Sequence, residues 1–142
     1  MKKYELTDET KIYFDRTLHR IKALRDIGED VKTGDLGGWI EKESNLSHDG
    51  DAWVYGNAQV YGNAKVTEIT DVFAVSPIGS RNDTTTFYRT KDDKIFVKCG
   101  CKNTDIDTWL AMVKKTHGDN KHAQAYKLAA QIARLQILGE EE

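Results

Sequence analysis

The sequence predicts a mainly β protein with helices at its end: a short left-handed β-helix behind an N-terminal β cap, followed by a small α+β domain. Three observations predict it. A six-residue unit recurs through Ala52-Trp53-Val54-Tyr55-Gly56-Asn57, Ala58-Gln59-Val60-Tyr61-Gly62-Asn63 and Ala64-Lys65-Val66. Two β-like runs, 85–90 and 95–101, flank the polar Lys91-Asp92-Asp93-Lys94. Two amphipathic helical patterns close the chain. The boundary falls near residue 68, giving 1–68 for the cap and β-helix and 69–142 for the α+β domain.

Residues 1–33 fit two readings. Leu18, Ile21 and Leu24 recur at helical spacing, whereas Thr17, His19, Ile21 and Ala23 alternate as a strand does. A β-hairpin with arms around 4–6 and 13–24 is the reading preferred here. It can pair with the open end of a β-helix and satisfy its backbone. The polar run 26–34 closes on Gly34 and reads as a loop.

A period of six suits neither an isolated helix nor an ordinary hairpin, and hexapeptide repeats build β-helices. Ala58 and Val60, like Ala64 and Val66, are two apart and share one face of an extended chain. That face is expected to point inward, with Tyr55 and Tyr61 outward. Gly56-Asn57 and Gly62-Asn63 are expected at corners, because both residue types tolerate positive φ. Counting back in sixes gives apolar Leu46 and Ile40 at the first inward position but His48 and Lys42 at the second. The earlier coil is therefore degenerate, and roughly two turns fit between 35 and 70. So short a coil needs a cap at both ends. Gly37-Gly38 predicts a sharp turn or a close backbone approach.

Beyond Val66, the stretch 69–76 is β-like, and 77–83, with the only proline, reads as a loop. The runs 85–90 and 95–101 form a hairpin signal, with Ile95, Val97, Cys99 and Cys101 on one face. Thr104 is the expected N-cap of the first helix, in which Ile106, Trp109, Leu110 and Val113 make an apolar face. Gly118 ends that helix, and Asp119 or Asn120 caps the next. On the last helix Tyr126, Ala129, Ala130, Ala133 and Ile137 form one stripe, and Leu128, Ile132 and Leu135 form a second. Two stripes imply two packing surfaces. The second is the expected contact with another subunit, which makes the protein a homo-oligomer.

Composition excludes several functions. The chain has 142 residues, 21 basic and 23 acidic side chains, and a formal net charge of -2. That balance argues against a broad nucleic-acid surface, which should be strongly basic. No apolar run reaches the length of a membrane span, and the N-terminus lacks the apolar core of a secretory signal. A cytoplasmic protein is expected. Cys99 and Cys101 are too close for easy disulfide geometry.

The combination Gly37-Gly38-Trp39-Ile40-Glu41, Asn45-Leu46-Ser47 and the AWVYGNA hexads resembles small hexapeptide-repeat proteins of bacteriophages and prophages. The second half, with SPIGSRN, TTFYR, VKCGC and HGDN, is similar to a domain at the C-terminus of many such phage proteins. The resemblance covers nearly the whole chain. It implies a viral accessory role in the host cytoplasm rather than a reaction.

No Ser-His-Asp order, paired-carboxylate spacing or phosphate-loop fingerprint is present. Hexapeptide β-helices include acyltransferases, which need a histidine base and several more coils. His48 is the only histidine in the repeat, so a degenerate acyltransferase is the enzymatic alternative, and a purely structural oligomerisation module is a third reading. Cys99, Cys101 and His117 fall short of a four-ligand zinc set. No catalytic residue, metal or cofactor is assigned. The polar loop around Ser80 and Arg81 offers backbone amides, a hydroxyl and a guanidinium, to which Arg89 and Lys98 can add charge. These four residues are the expected contact to an anionic, nucleotide-like ligand or to a host defence protein. The function expected is that of a non-enzymatic phage accessory binding protein that blunts a host defence.

Overall fold

A computed structural model describes residues 2–13 and 15–139. Two four-stranded sheets and two helices make up the molecule, an α+β architecture. The first sheet has the order β1 (Tyr4–Tyr13), β2 (Arg16–Ala23), β3 (Leu36–Ile40) and β4 (Gln59–Val60). The first three strands are antiparallel, and β4 joins β3 in parallel, with Trp39 opposite Gln59 and Ile40 opposite Val60. The second sheet is an antiparallel meander of β5 (Val72–Ile78), β6 (Asp83–Arg89), β7 (Ile95–Cys99) and β8 (Lys102–Asp105). Helices α1 (Ile106–His117) and α2 (Lys121–Ala133) follow, and α2 continues into a π-type turn over Arg134–Leu138.

The left-handed β-helix expected from the hexads is not formed among the described residues. Of the repeat, only Gln59–Val60 is a strand, and Ala64 and Val66 make single bridges. Stacking stops after one parallel layer for a physical reason. The antiparallel β1–β2 hairpin completes the sheet on the far side of β3. At the other end Ala64 bridges Thr90 of the second sheet in antiparallel fashion. Both hydrogen-bonding edges are thus taken by pieces that run the wrong way for a solenoid.

The inward residues are nonetheless buried together. Ala52, Val54, Ala58, Val60, Ala64 and Val66 share one core with Tyr4, Ile21, Ile40 and Leu46. Tyr55 is exposed, but Tyr61, expected outside, is buried against Leu18 and Trp39 because the β1–β2 hairpin covers that side. The paired glycines mark a close approach. A Cβ on Gly38 would lie 2.6 Å from Val54 Cγ1 and 2.7 Å from the Ala58 carbonyl oxygen.

The second sheet is covered on both faces, as strand alternation allows. Tyr88, with Val72 and Phe96, joins the hexad core. Phe87, Ile95 and Val97 pack instead on Trp109, Val113, Tyr126 and Ala130 of the helices. The expected run 95–101 is not one strand. Gly100 takes a positive φ of 58° and reverses the chain into β8, so Cys101 leaves the face of Cys99 and is exposed. The first helix is capped by Asp105, not Thr104; the Asp105 side chain accepts the Thr108 N–H. Asn120 caps the second helix through the Ala123 N–H. The hairpin tip is tied to the second sheet, where the Tyr13 hydroxyl donates to the Gly100 carbonyl.

Candidate functional site

The loop of Ser80 and Arg81 is a tight turn. Pro77 and Ile78 belong to β5, and the Asn82 N–H donates to the Gly79 carbonyl at 3.2 Å. Both Ser80 and Arg81 are exposed. Lys98 is buried; its ammonium donates to the Gly100 carbonyl and lies 4.3 Å from the centre of the Tyr13 ring. Burial lowers its pKa, and Asp83 opposes that shift.

Arg89 stands at the opposite end of β6, roughly 20 Å along the strand from Asp83. Its Nε donates to Asp71 at 2.8 Å, and its other nitrogens reach Asp93 and the Ile137 carbonyl. Burial pushes the Asp71 carboxyl up, but hydrogen bonds from Thr67, Arg89 and Glu68 outweigh it and hold the pKa down. Arg89 therefore ties β6 to the last turn of the chain. The four residues do not converge on one point.

His48 is also engaged. Its ring stacks on Tyr4 at 4.2 Å, and Nδ1 accepts the Lys3 N–H at 3.1 Å. That bond leaves the proton on Nε2, which faces Glu43 at 2.8 Å. Among the described residues, no three His, Cys, Asp or Glu side chains gather as a metal site. No helix among them is long and apolar enough to cross a membrane.

A different set of cations converges where the two sheets meet. Lys42, Lys65 and Lys91, with Ser44 and Asn63, line a cavity of about 300 Å³. Three chain segments build it: the turn after β3, the second hexad corner, and the β6–β7 turn. Buried Asn45 fixes the first two. Its Oδ1 accepts the Glu41 and Lys42 N–H groups, and its Nδ2 donates to the carbonyls of Gly62 and Ala64. The third is held by backbone bonds from Lys91 to Asn63 and from Lys65 to Arg89, both 2.9 Å.

Among the described residues none of the three lysines forms an ion pair. The nearby Glu41 carboxylate is already committed, accepting the Gly62 N–H and pairing with Arg16 at 2.9 Å. Lysines that line one cavity without a carboxylate partner raise the local potential for an anion there. Sequence reasoning missed this site because its cations are 23 and 26 positions apart and no local motif joins them. The one legible trace was Lys42, which broke the inward pattern.

The stripe Leu128, Ile132 and Leu135 stays outside, with Leu128 61% and Leu135 54% exposed. Nearby Ile69 is 66% exposed. Ile69 and Gln136 line a second cavity, of about 440 Å³, whose rim carries Glu29, Asp30 and Asp51.

No family model matches this chain, and comparison with curated proteins and with solved structures finds no match.

Proposed function

We propose that this chain is a non-enzymatic binding protein whose ligand is anionic and sits between Lys42, Lys65 and Lys91. The observation that carries the reading is that Lys42, Lys65 and Lys91, none in an ion pair among the described residues, line one concavity together with Ser44. Its walls are preorganised by Asn45, which lowers the ordering cost of binding. In the phage setting that the motif resemblance implies, holding such a ligand would withdraw an anionic signal from a host defence.

Calorimetric titration with pyrophosphate tests the reading. Saturable binding that weakens with added salt is expected. Lys65→Gln and Lys91→Gln should each cost on the order of 1 kcal/mol. Absence of binding, or an affinity untouched by both substitutions together, overturns it.

A second copy of the chain is the proposed occupant of the exposed ridge on α2. Residues 121–138 carry Lys121 and Lys127, besides Arg134, which pairs with Asp107, and they contain no acidic residue. The adjoining cavity has an acidic rim, so ridge and rim are complementary across a two-fold axis. Sedimentation at micromolar concentration should show a dimer that Ile132→Lys converts to monomer. A monomeric wild-type chain overturns this assignment.

A further inference from the structure

A third concavity adjoins the lysine cavity across the Tyr61–Gly62 peptide. It measures about 310 Å³ and is lined by Tyr13, Asp15, Arg16, Tyr61, Cys101 and Asn103. Tyr61 faces this concavity and Gly62 the lysine cavity. The separating wall is thin. A Cβ placed on Gly62 would meet Arg16 Nη1 at 3.7 Å.

We infer that the two cavities form one composite site for a nucleoside phosphate, with phosphate at Lys42, Lys65 and Lys91 and the nucleoside at Arg16, Tyr61 and Asn103. This inference rests on the anion reading above and adds the organic half of the ligand.

The Arg16 guanidinium carbon lies 5.5 Å from the centre of the Tyr61 ring. Glu41 holds the guanidinium at 2.9 Å, and the side chain is 42% exposed, so one face remains open. A planar cation backed by an aromatic ring is a platform on which a base stacks. Asn103 supplies direction. Its Oδ1 accepts the Tyr88 hydroxyl at 2.8 Å, which orients the amide and leaves Nδ2 to donate to a base carbonyl or ring nitrogen. The exposed Asp15 carboxylate, without an ion pair among the described residues, is an acceptor for an exocyclic amine or a sugar hydroxyl. Each cavity alone is at the small end of ligand pockets, and together they reach the size a nucleotide fills. Glu41 stands at the junction but is neutralised by Arg16 and the Gly62 N–H.

The test is calorimetry on the full chain with pyrophosphate and, separately, with the diphosphates of adenosine, guanosine, cytidine and uridine. At least one nucleoside diphosphate should bind about tenfold more tightly than pyrophosphate, the increment expected of one stacked base. Arg16→Lys keeps the charge that neutralises Glu41 but loses the planar face, so it should remove that advantage and leave pyrophosphate affinity within about twofold. Asn103→Asp keeps the acceptor for Tyr88 but deletes the donor, and it should lower nucleotide affinity selectively, with an unchanged melting temperature as the folding control. Equal affinity for pyrophosphate and all four nucleotides overturns the composite site and leaves the anion reading standing. Nucleotide binding that survives both substitutions also overturns it. No binding by any of the five probes overturns both readings.

Discussion

The Asn45 side chain donates to the Ala64 carbonyl at 3.1 Å across 19 positions of sequence. With three further bonds, this amide satisfies two carbonyls and two N–H groups of the hexad region while itself fully buried. Asn45→Ala leaves those backbone groups unpaired in a space too small for easy solvation. A loss of about 2–4 kcal/mol in urea unfolding is expected. Weaker pyrophosphate binding should accompany it, because the amide sets the distance between Lys42 and Lys65. A stability change below about 0.5 kcal/mol would show that water replaces the amide.

Val60 has no exposed surface and sits at the centre of the hexad core. Val60→Asp buries an unpaired carboxylate at a cost of several kcal/mol. The variant should be unfolded by circular dichroism at room temperature. Retained near-ultraviolet signal and melting temperature would contradict the core assignment.

Two glycine substitutions should differ in kind. Gly38→Ala forces a methyl into a Val54 side chain and a backbone carbonyl at 2.6 and 2.7 Å, so β3 and the hexads must separate. A loss of about 3 kcal/mol or more is expected. Gly100→Ala meets nothing within 4 Å and loses only the ease of its positive φ. About 1 kcal/mol is expected there. Comparable losses in thermal unfolding would argue against close packing at Gly38.

Lys3 is fully buried, and its ammonium donates to the Ala52 carbonyl at 2.5 Å. Burial first, and Arg25 second, lower its pKa from 10.5 to about 8. Between those values the unfolded chain binds a proton that the folded chain has released. Stability from this group therefore rises as pH climbs from about 8 toward 10.5, and it is flat below about 8, where both states are protonated. Tyr61, pushed to about 12 by burial, acts in the opposite sense only above pH 10, where the unfolded tyrosine ionises. Denaturant melts at pH 8 and 9.5 should show the rise in wild type and a clearly smaller one in Lys3→Met, where Lys98, whose pKa burial also lowers, still contributes. The same rise in the variant would assign it elsewhere.

The sequence carried the local structure well and the assembly poorly. Alternation in the second sheet is set by neighbours two residues away and the apolar faces of both helices by neighbours three or four away. Strand β6 and both helices appear where the pattern places them, whereas Gly100 cuts the expected run 95–101 short and β5 continues through Pro77 into Ile78. The hexads show the limit of that reasoning. Ala58, Val60, Ala64 and Val66 are inward as their spacing implies, yet period alone does not decide what stacks on them. An antiparallel hairpin and a turn of the second sheet occupy the edges a solenoid needs. The candidate site was less legible still. Arg89 looked available because its partner Asp71 is 18 positions away on another element. Lys42, Lys65 and Lys91 looked like ordinary surface lysines because only tertiary structure brings them together.

The Tyr13 hydroxyl bond to Gly100 spans 87 positions of a chain made from its N-terminus. During synthesis this bond cannot form until the β7–β8 turn has left the ribosome. Tyr88 and Phe96, which complete the hexad core, also emerge late. A nascent chain stalled before residue 100 thus presents the sheet edges and the apolar hexads without their cover. Such an intermediate is open to pairing with another chain. The protein becomes safe from its own repeats only when most of its length exists, so arrested or truncated products should be cleared or aggregate rather than accumulate as stable fragments.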